Sequence, residues 1–169
     1  MFEPGEYVVS GGKGVCVVED ITKLDLSGVD KKREYYILKP VYLSGSTVYI
    51  PVDTAEDTLR KVLNHEQADE LIKEIEEIPL IETGNEKLLE QEYKGCIRKN
   101  NCRDLLRIIK TIYLRKQKRL EEGRKVTAVD AKYFRIAEDN LYGELAIALK
   151  MSKGDVEDYI TGYMQTQQR

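Results

Sequence analysis

The sequence predicts an α+β protein: a small β-barrel of the SH3 or Tudor type at the N-terminus, followed by an all-helical C-terminal domain. Residues 1–52 alternate short runs rich in Val, Ile and Tyr with turn-forming runs, whereas beyond Pro51 apolar residues recur at helical spacing. Charge then divides the helical part. Residues 53–93 hold 4 basic and 13 acidic groups, and residues 94–135 hold 14 basic and 4 acidic.

Four runs read as strands: "EYVVS", "GVCVVEDIT", "REYYILKPV" and "STVYIPV". The turns between them are "GGKG", "LSGVDKKR" and "LSG". The first of these, Gly11 to Gly14, lacks the spacing of a phosphate-binding loop and joins two strands as a hairpin. Pro51 cannot donate to a ladder and favours the edge or end of a sheet. A core of about fifty residues is marginal alone and leans on the rest of the chain or on a partner.

The helices begin after Pro51. "TAEDTLRKVL" reads as a short first one. "NHEQADELIKEIEEIP" is a second, with Asn64 and Gln67 placed as a capping box and Pro79 at its end. A turn at "ETGNEKL" leads to a third helix from about Glu86 to the "KNN" break. A fourth runs from Cys102 to about Glu122, a fifth from Thr127 and a sixth from Ser152. Thr127 with Asp130, and Ser152 with Asp155, supply cap-type starts. The domains are expected at 1–53 and 54–169. In the tail, Leu141, Leu145, Ala148 and Leu149 mark a packing face.

Composition narrows the function classes. With 41% hydrophobic and 34% charged residues, no apolar run of membrane-spanning length and an N-terminus unlike a signal peptide, a cytoplasmic protein is expected. Cys16, Cys96 and Cys102 are odd in number and lack metal-ligand spacing, so buried reduced thiols are expected, with no metal and no cofactor. The sole His65 has no nucleophile partner, and no carboxylate pair stands apart from the acidic background. An enzyme is not expected, nor a small-molecule substrate.

The excess of positive charge in 94–135 points either to a polyanionic partner or to neutralisation by the acidic segment within one bundle. In the fourth helix, Leu105, Ile108, Ile109 and Ile112 share one face, and Arg103, Arg107 and Lys110 the opposite one. From Arg103 to Arg119 only Asp104 is acidic. No zinc finger, basic zipper or helix-turn-helix is evident, so sequence-tolerant contact with the nucleic-acid backbone is the expected mode. A protein-interaction adaptor and an RNA- or ribosome-associated protein are the competing binding classes.

The runs "F-x-P-G-E-Y-V-V", "G-K-G-V-C-V-V-E", "E-Y-Y-I-L-K", "T-V-Y-I-P-V" and "L-Y-G-E-L-A-I-A-L" together resemble the CarD/CdnL family of bacterial transcription regulators. The N-terminal half also resembles the polymerase-interacting module of transcription-repair coupling factors. The resemblance implies a Tudor-like domain docked on the RNA polymerase β subunit, a helical domain on promoter DNA, and a stabilised open complex. It places polymerase contact at Lys23, Val48, Tyr49, Ile50 and Pro51, with Tyr49 where some members carry Arg or Met. For DNA it points to Tyr93 and Lys94, and to Lys132 and Arg135. Arg98, Arg103, Arg107 and Lys110 are the further candidates by charge. Many members insert a Trp wedge at the bubble edge, and this chain has no Trp. Leu88 or Leu89 would stand in its place.

Overall fold

The computed structural model describes residues 1–11 and 13–166. They form two compact units, divided between Val62 and Leu63.

The first unit is built on five strands: β1 (Tyr7–Ser10), β2 (Gly14–Lys23), β3 (Glu34–Pro40), β4 (Val48–Pro51) and β5 (Leu59–Lys61). All pairings are antiparallel, in the order β4-β3-β2-β1-β5. The expected barrel is thus an open sheet, with no pairing of β4 to β5 among the described residues. The turn "GGKG" does join β1 to β2, although its Gly12 lies outside the described residues. β2 is long enough to bend, and its register with β3 shifts between Val18 and Asp20, as a bulge does. Val8, Cys16, Val18, Tyr36, Leu38, Ala55 and Leu59 form the core beneath the sheet.

The segment expected as a first helix is instead a 3-10 turn, Val52–Asp57, followed by β5. Ala, Glu, Leu and Arg favour a helix locally. The open edge of β1 offers Leu59–Lys61 ladder partners, and Ala55 and Leu59 gain burial in the sheet's core, so tertiary pairing overrides propensity. For the same reason the first unit runs past residue 53, to Val62.

In the second unit lie α1 (His65–Lys73), α2 (Glu86–Lys99), α3 (Cys102–Glu121), α4 (Ala128–Leu149) and α5 (Lys153–Thr166). The starts follow from side-chain caps. Asn64 Oδ1 accepts from the Gln67 N–H at 2.8 Å while Gln67 Oε1 accepts from the Asn64 N–H at 3.0 Å, completing the capping box. Asn101, Thr127 and Ser152 accept from the N–H groups of Asp104, Asp130 and Asp155 at 2.8, 3.0 and 3.0 Å. α1 stops at Lys73, short of Pro79, and a 3-10 turn, Ile75–Glu77, carries the chain onward. Asn100, with φ of 50°, closes α2 in the left-handed region that Asn tolerates.

The core of this unit sits around α3 and the C-terminal half of α4. Leu105, Ile108, Ile109 and Ile112 are buried as expected, as are Leu141, Leu145, Ala148 and Leu149. Leu106 and Thr111 are buried too, so α3 is covered on more than one side. The second cover is the segment after α1: Thr111 Oγ1 accepts from the Ile81 N–H at 3.0 Å. Cys16, Cys96 and Cys102 are buried thiols outside any disulfide. Burial pushes the Cys16 thiol up to about 11 and also raises Cys96.

Candidate functional site

Two surfaces emerge, one on each unit. On the first, β4 is an edge strand whose only ladder partner among the described residues is β3. Its register pairs Val48 with Leu38, Tyr49 with Ile37, Ile50 with Tyr36 and Pro51 with Tyr35. Strand alternation therefore turns Val48 and Ile50 onto the core and leaves Tyr49 on the other face, 44% exposed. Pro51 ends the strand, where its missing N–H breaks no ladder bond. Lys23 is exposed at the end of β2, opposite Glu34, and the row Thr22, Tyr35, Pro51 puts it at the same end of the sheet as Pro51. Beside that end, Arg33 grips Asp53 with two bonds of 3.2 and 2.8 Å, which hold the Asp53 carboxyl below its usual pKa.

On the second unit the basic residues separate into two groups. Of the expected open face of α3, Arg107 and Lys110 lie half-buried against the segment after α1, and Arg103 stays exposed beside it. Arg103 pairs with Glu74 at 3.0 Å. Arg107 donates to the carbonyls of Pro79 and Leu80, at 3.0 and 3.4 Å. The Lys110 ammonium donates to three carbonyls, of Ile75, Glu76 and Ile78, at 2.7, 3.0 and 2.9 Å. These carbonyls belong to the 3-10 turn and its exit; that of Ile75 also accepts from the Ile78 N–H at 3.2 Å, and the cation caps all three. Burial pulls the Lys110 amine below its usual pKa.

Leu89 and Tyr93 also depart from expectation. Leu89 is 1% exposed and Tyr93 fully buried, because both lie on the face of α2 that packs inward with Cys96. Neither side chain reaches a surface where it could touch DNA. Tyr93 Oη instead donates to Asp130 Oδ1 at 2.9 Å, and Asp130 Oδ2 accepts from Arg115 Nε at 2.7 Å. Arg115 reaches on to Glu86 at 3.1 Å. Burial and the bond to Asp130 push the Tyr93 hydroxyl up. The wholly buried Asp130 has both oxygens satisfied, which is what a carboxylate at that depth requires.

The second group is open. Lys94 and Arg98 are exposed on α2, and with Gln91, Ile97 and Tyr133 of α4 they line a shallow hollow of about 480 Å³. The Lys132 ammonium lies 5.3 Å from the Tyr133 ring centroid. Tyr133 Oη donates to Glu90 Oε1 at 3.2 Å, and Lys94 Nζ is 3.7 Å from the same oxygen, so the acidic neighbour is partly neutralised. Arg135, three residues along α4, is exposed outside the lining. The structure thus brings together Lys94, Arg98 and the Lys132-Tyr133 pair. Sequence reasoning missed Gln91 and Tyr133, although Gln91, Lys94 and Arg98 recur at helical spacing.

The first unit is a sheet with one edge unpaired among the described residues, and the second is a helical unit with an exposed basic surface. Residues 2–63 match the family model described as the CarD-like/TRCF RID domain, a Tudor-like module whose presence implies interaction with RNA polymerase. The match covers the first unit and ends where the helical unit begins. No curated protein matches the chain. No described helix is long and apolar enough to cross a membrane.

Proposed function

We propose that this protein is a non-catalytic bacterial transcription regulator that docks on the β subunit of RNA polymerase and holds promoter DNA, favouring the open complex. The match of residues 2–63 to the CarD-like/TRCF RID domain carries the reading. Within that domain the free edge of β4 offers main-chain bonds to a partner strand, with Tyr49 and Pro51 at the contact and Lys23 at the same end of the sheet. The DNA contact falls to Lys94, Arg98, Lys132 and Arg135, whose long cationic side chains suit phosphates in many arrangements. Leu88, 50% exposed on α2, is an apolar side chain that could wedge a minor groove. Docking raises the local concentration of the basic surface, so a weak DNA contact is enough.

The test is the lifetime of open complexes formed by polymerase on a promoter template with the full-length protein. Tyr49→Glu and the Lys94→Ala/Arg98→Ala double variant should each shorten it toward the value without protein. If both variants extend the lifetime as wild type does, the reading fails.

A protein-interaction adaptor is the second reading. It is favoured by one observation: Arg103, Arg107 and Lys110 are spent within the chain. Salt separates the two, because phosphate contacts release counterions and lose affinity steeply as salt rises.

A further inference from the structure

One face of α3 carries Arg107, Thr111, Leu114 and Lys118, at i, i+4, i+7 and i+11. Near its start this side of the helix holds the segment after α1 by its main chain. The carbonyls of Ile75, Glu76 and Ile78 accept from Lys110, and those of Pro79 and Leu80 from Arg107. Toward its end, residues 80–84 and residues 111–118 leave a hollow of about 610 Å³ between them. The floor is apolar, with Ile81 and Thr111 buried and Leu80 and Leu114 half-buried. Two features of its walls are uncommitted. The N–H groups of residues 82–84 and the carbonyls of residues 81–83 take no hydrogen bond among the described residues. Lys118 is exposed at the rim with no ion pair among them, whereas Arg115 beside it is bound to Asp130 and Glu86.

We propose that this hollow is a docking site for a short extended peptide of a partner protein, in which an aliphatic residue is followed by an acidic one. The aliphatic side chain rests on Leu80 and Leu114, the peptide main chain pairs with the uncommitted groups of residues 82–84, and the carboxylate meets Lys118. The length fits. From Thr111 to Lys118 the helix rises about 10 Å, which roughly three extended residues span. The class of occupant follows from what the same side of α3 already holds, because the hollow continues the surface on which the helix seats the chain's own residues 75–80. Nucleic acid fits less well, since an apolar floor offers phosphates nothing. Lys118 opposite Glu82, the lining's one carboxylate, suits a single negative charge rather than a polyanion. The proposal goes beyond the polymerase and DNA reading and does not depend on it.

Fluorescence anisotropy of a labelled probe peptide, Gly-Val-Leu-Val-Glu with an amidated C-terminus, tests it on titration with the full-length protein. Saturable binding is expected, with a dissociation constant on the order of 100 µM. Exchanging the peptide's Glu for Gln should weaken it roughly fivefold, and Leu114→Ala should do about the same. Lys118→Glu, at an exposed position, should weaken the Glu peptide by roughly tenfold or more and bind the matching Lys peptide better than wild type does. Lys94→Ala/Arg98→Ala, on α2, should bind the peptide as wild type does. No saturation up to about 2 mM overturns the proposal. So does equal binding of the Glu and Gln peptides, or binding untouched by both Lys118→Glu and Leu114→Ala. Displacement of the peptide by duplex DNA, in wild type and in Lys94→Ala/Arg98→Ala alike, would make the hollow a nucleic-acid surface and overturn it too.

Discussion

Two groups of cations sit in one helical unit and serve opposite ends. Arg103, Arg107, Lys110 and Arg115 of α3 are turned onto Glu74, the carbonyls of 75–80, Asp130 and Glu86, where they hold the unit together. Lys94 and Arg98 of α2 stand exposed at a shallow hollow, and Lys132 and Arg135 of α4 are exposed outside its lining. Counting charge along the chain favours the first group, which is denser. Availability favours the second. Positive charge can partner a polyanion only where the fold has not already spent it.

The inward group is most sensitive at Arg115. Arg115→Ala leaves the buried Asp130 carboxylate with Tyr93 as its one remaining side-chain donor, and should cost about 3 kcal/mol of stability in urea denaturation. Lys110→Met keeps the apolar stem and removes three charged hydrogen bonds, with an expected loss of about 2 kcal/mol by the same measurement. Neither change should alter the salt slope of DNA binding in the folded protein.

The open group should behave the other way round. Lys94→Ala/Arg98→Ala should weaken duplex DNA binding roughly tenfold and lower the salt slope by about two, with the urea midpoint unmoved. Arg103→Ala tests the division between the groups from the other side. Its pair with Glu74 is half exposed, so a stability change under about 1 kcal/mol and an unchanged DNA affinity are expected.

A smaller change is expected with pH. Burial, with Glu157 and Asp139 nearby, pushes Glu138 up to about 7 against the opposing pull of Lys116. The folded state therefore holds a proton that the unfolded chain releases near its ordinary value of 4.5. Stability from this group is full below that value and is lost as pH rises through about 7. Urea midpoints at pH 5 and 7.5 should differ in that direction, and Glu138→Gln should narrow the difference.

Local chemistry made much of this fold legible. Asn64, Gln67, Thr127 and Ser152 announce helix starts because a cap acts within three residues of itself. Pro51 announces the end of a strand, and the tail leucines announce a core. What depended on distant partners was not legible. Leu59–Lys61 is a strand only because β1 has an edge to fill. Periodicity correctly put Arg103, Arg107 and Lys110 opposite the isoleucines of α3. It could not show that residues 74–80 lie across that side. Leu89 and Tyr93 were assigned from a resemblance, which carries over positions but not the direction in which α2 turns them.

The proposed function stands or falls on docking by the edge of β4, and capture of RNA polymerase by the immobilised full-length protein measures that docking. Tyr49→Glu places a charge on the free face of the edge strand and should reduce capture at least tenfold. The Lys94→Ala/Arg98→Ala variant, altered only on the helical unit, should capture as wild type does. Equal capture by wild type and Tyr49→Glu, with both shown to be folded, would contradict docking at this edge.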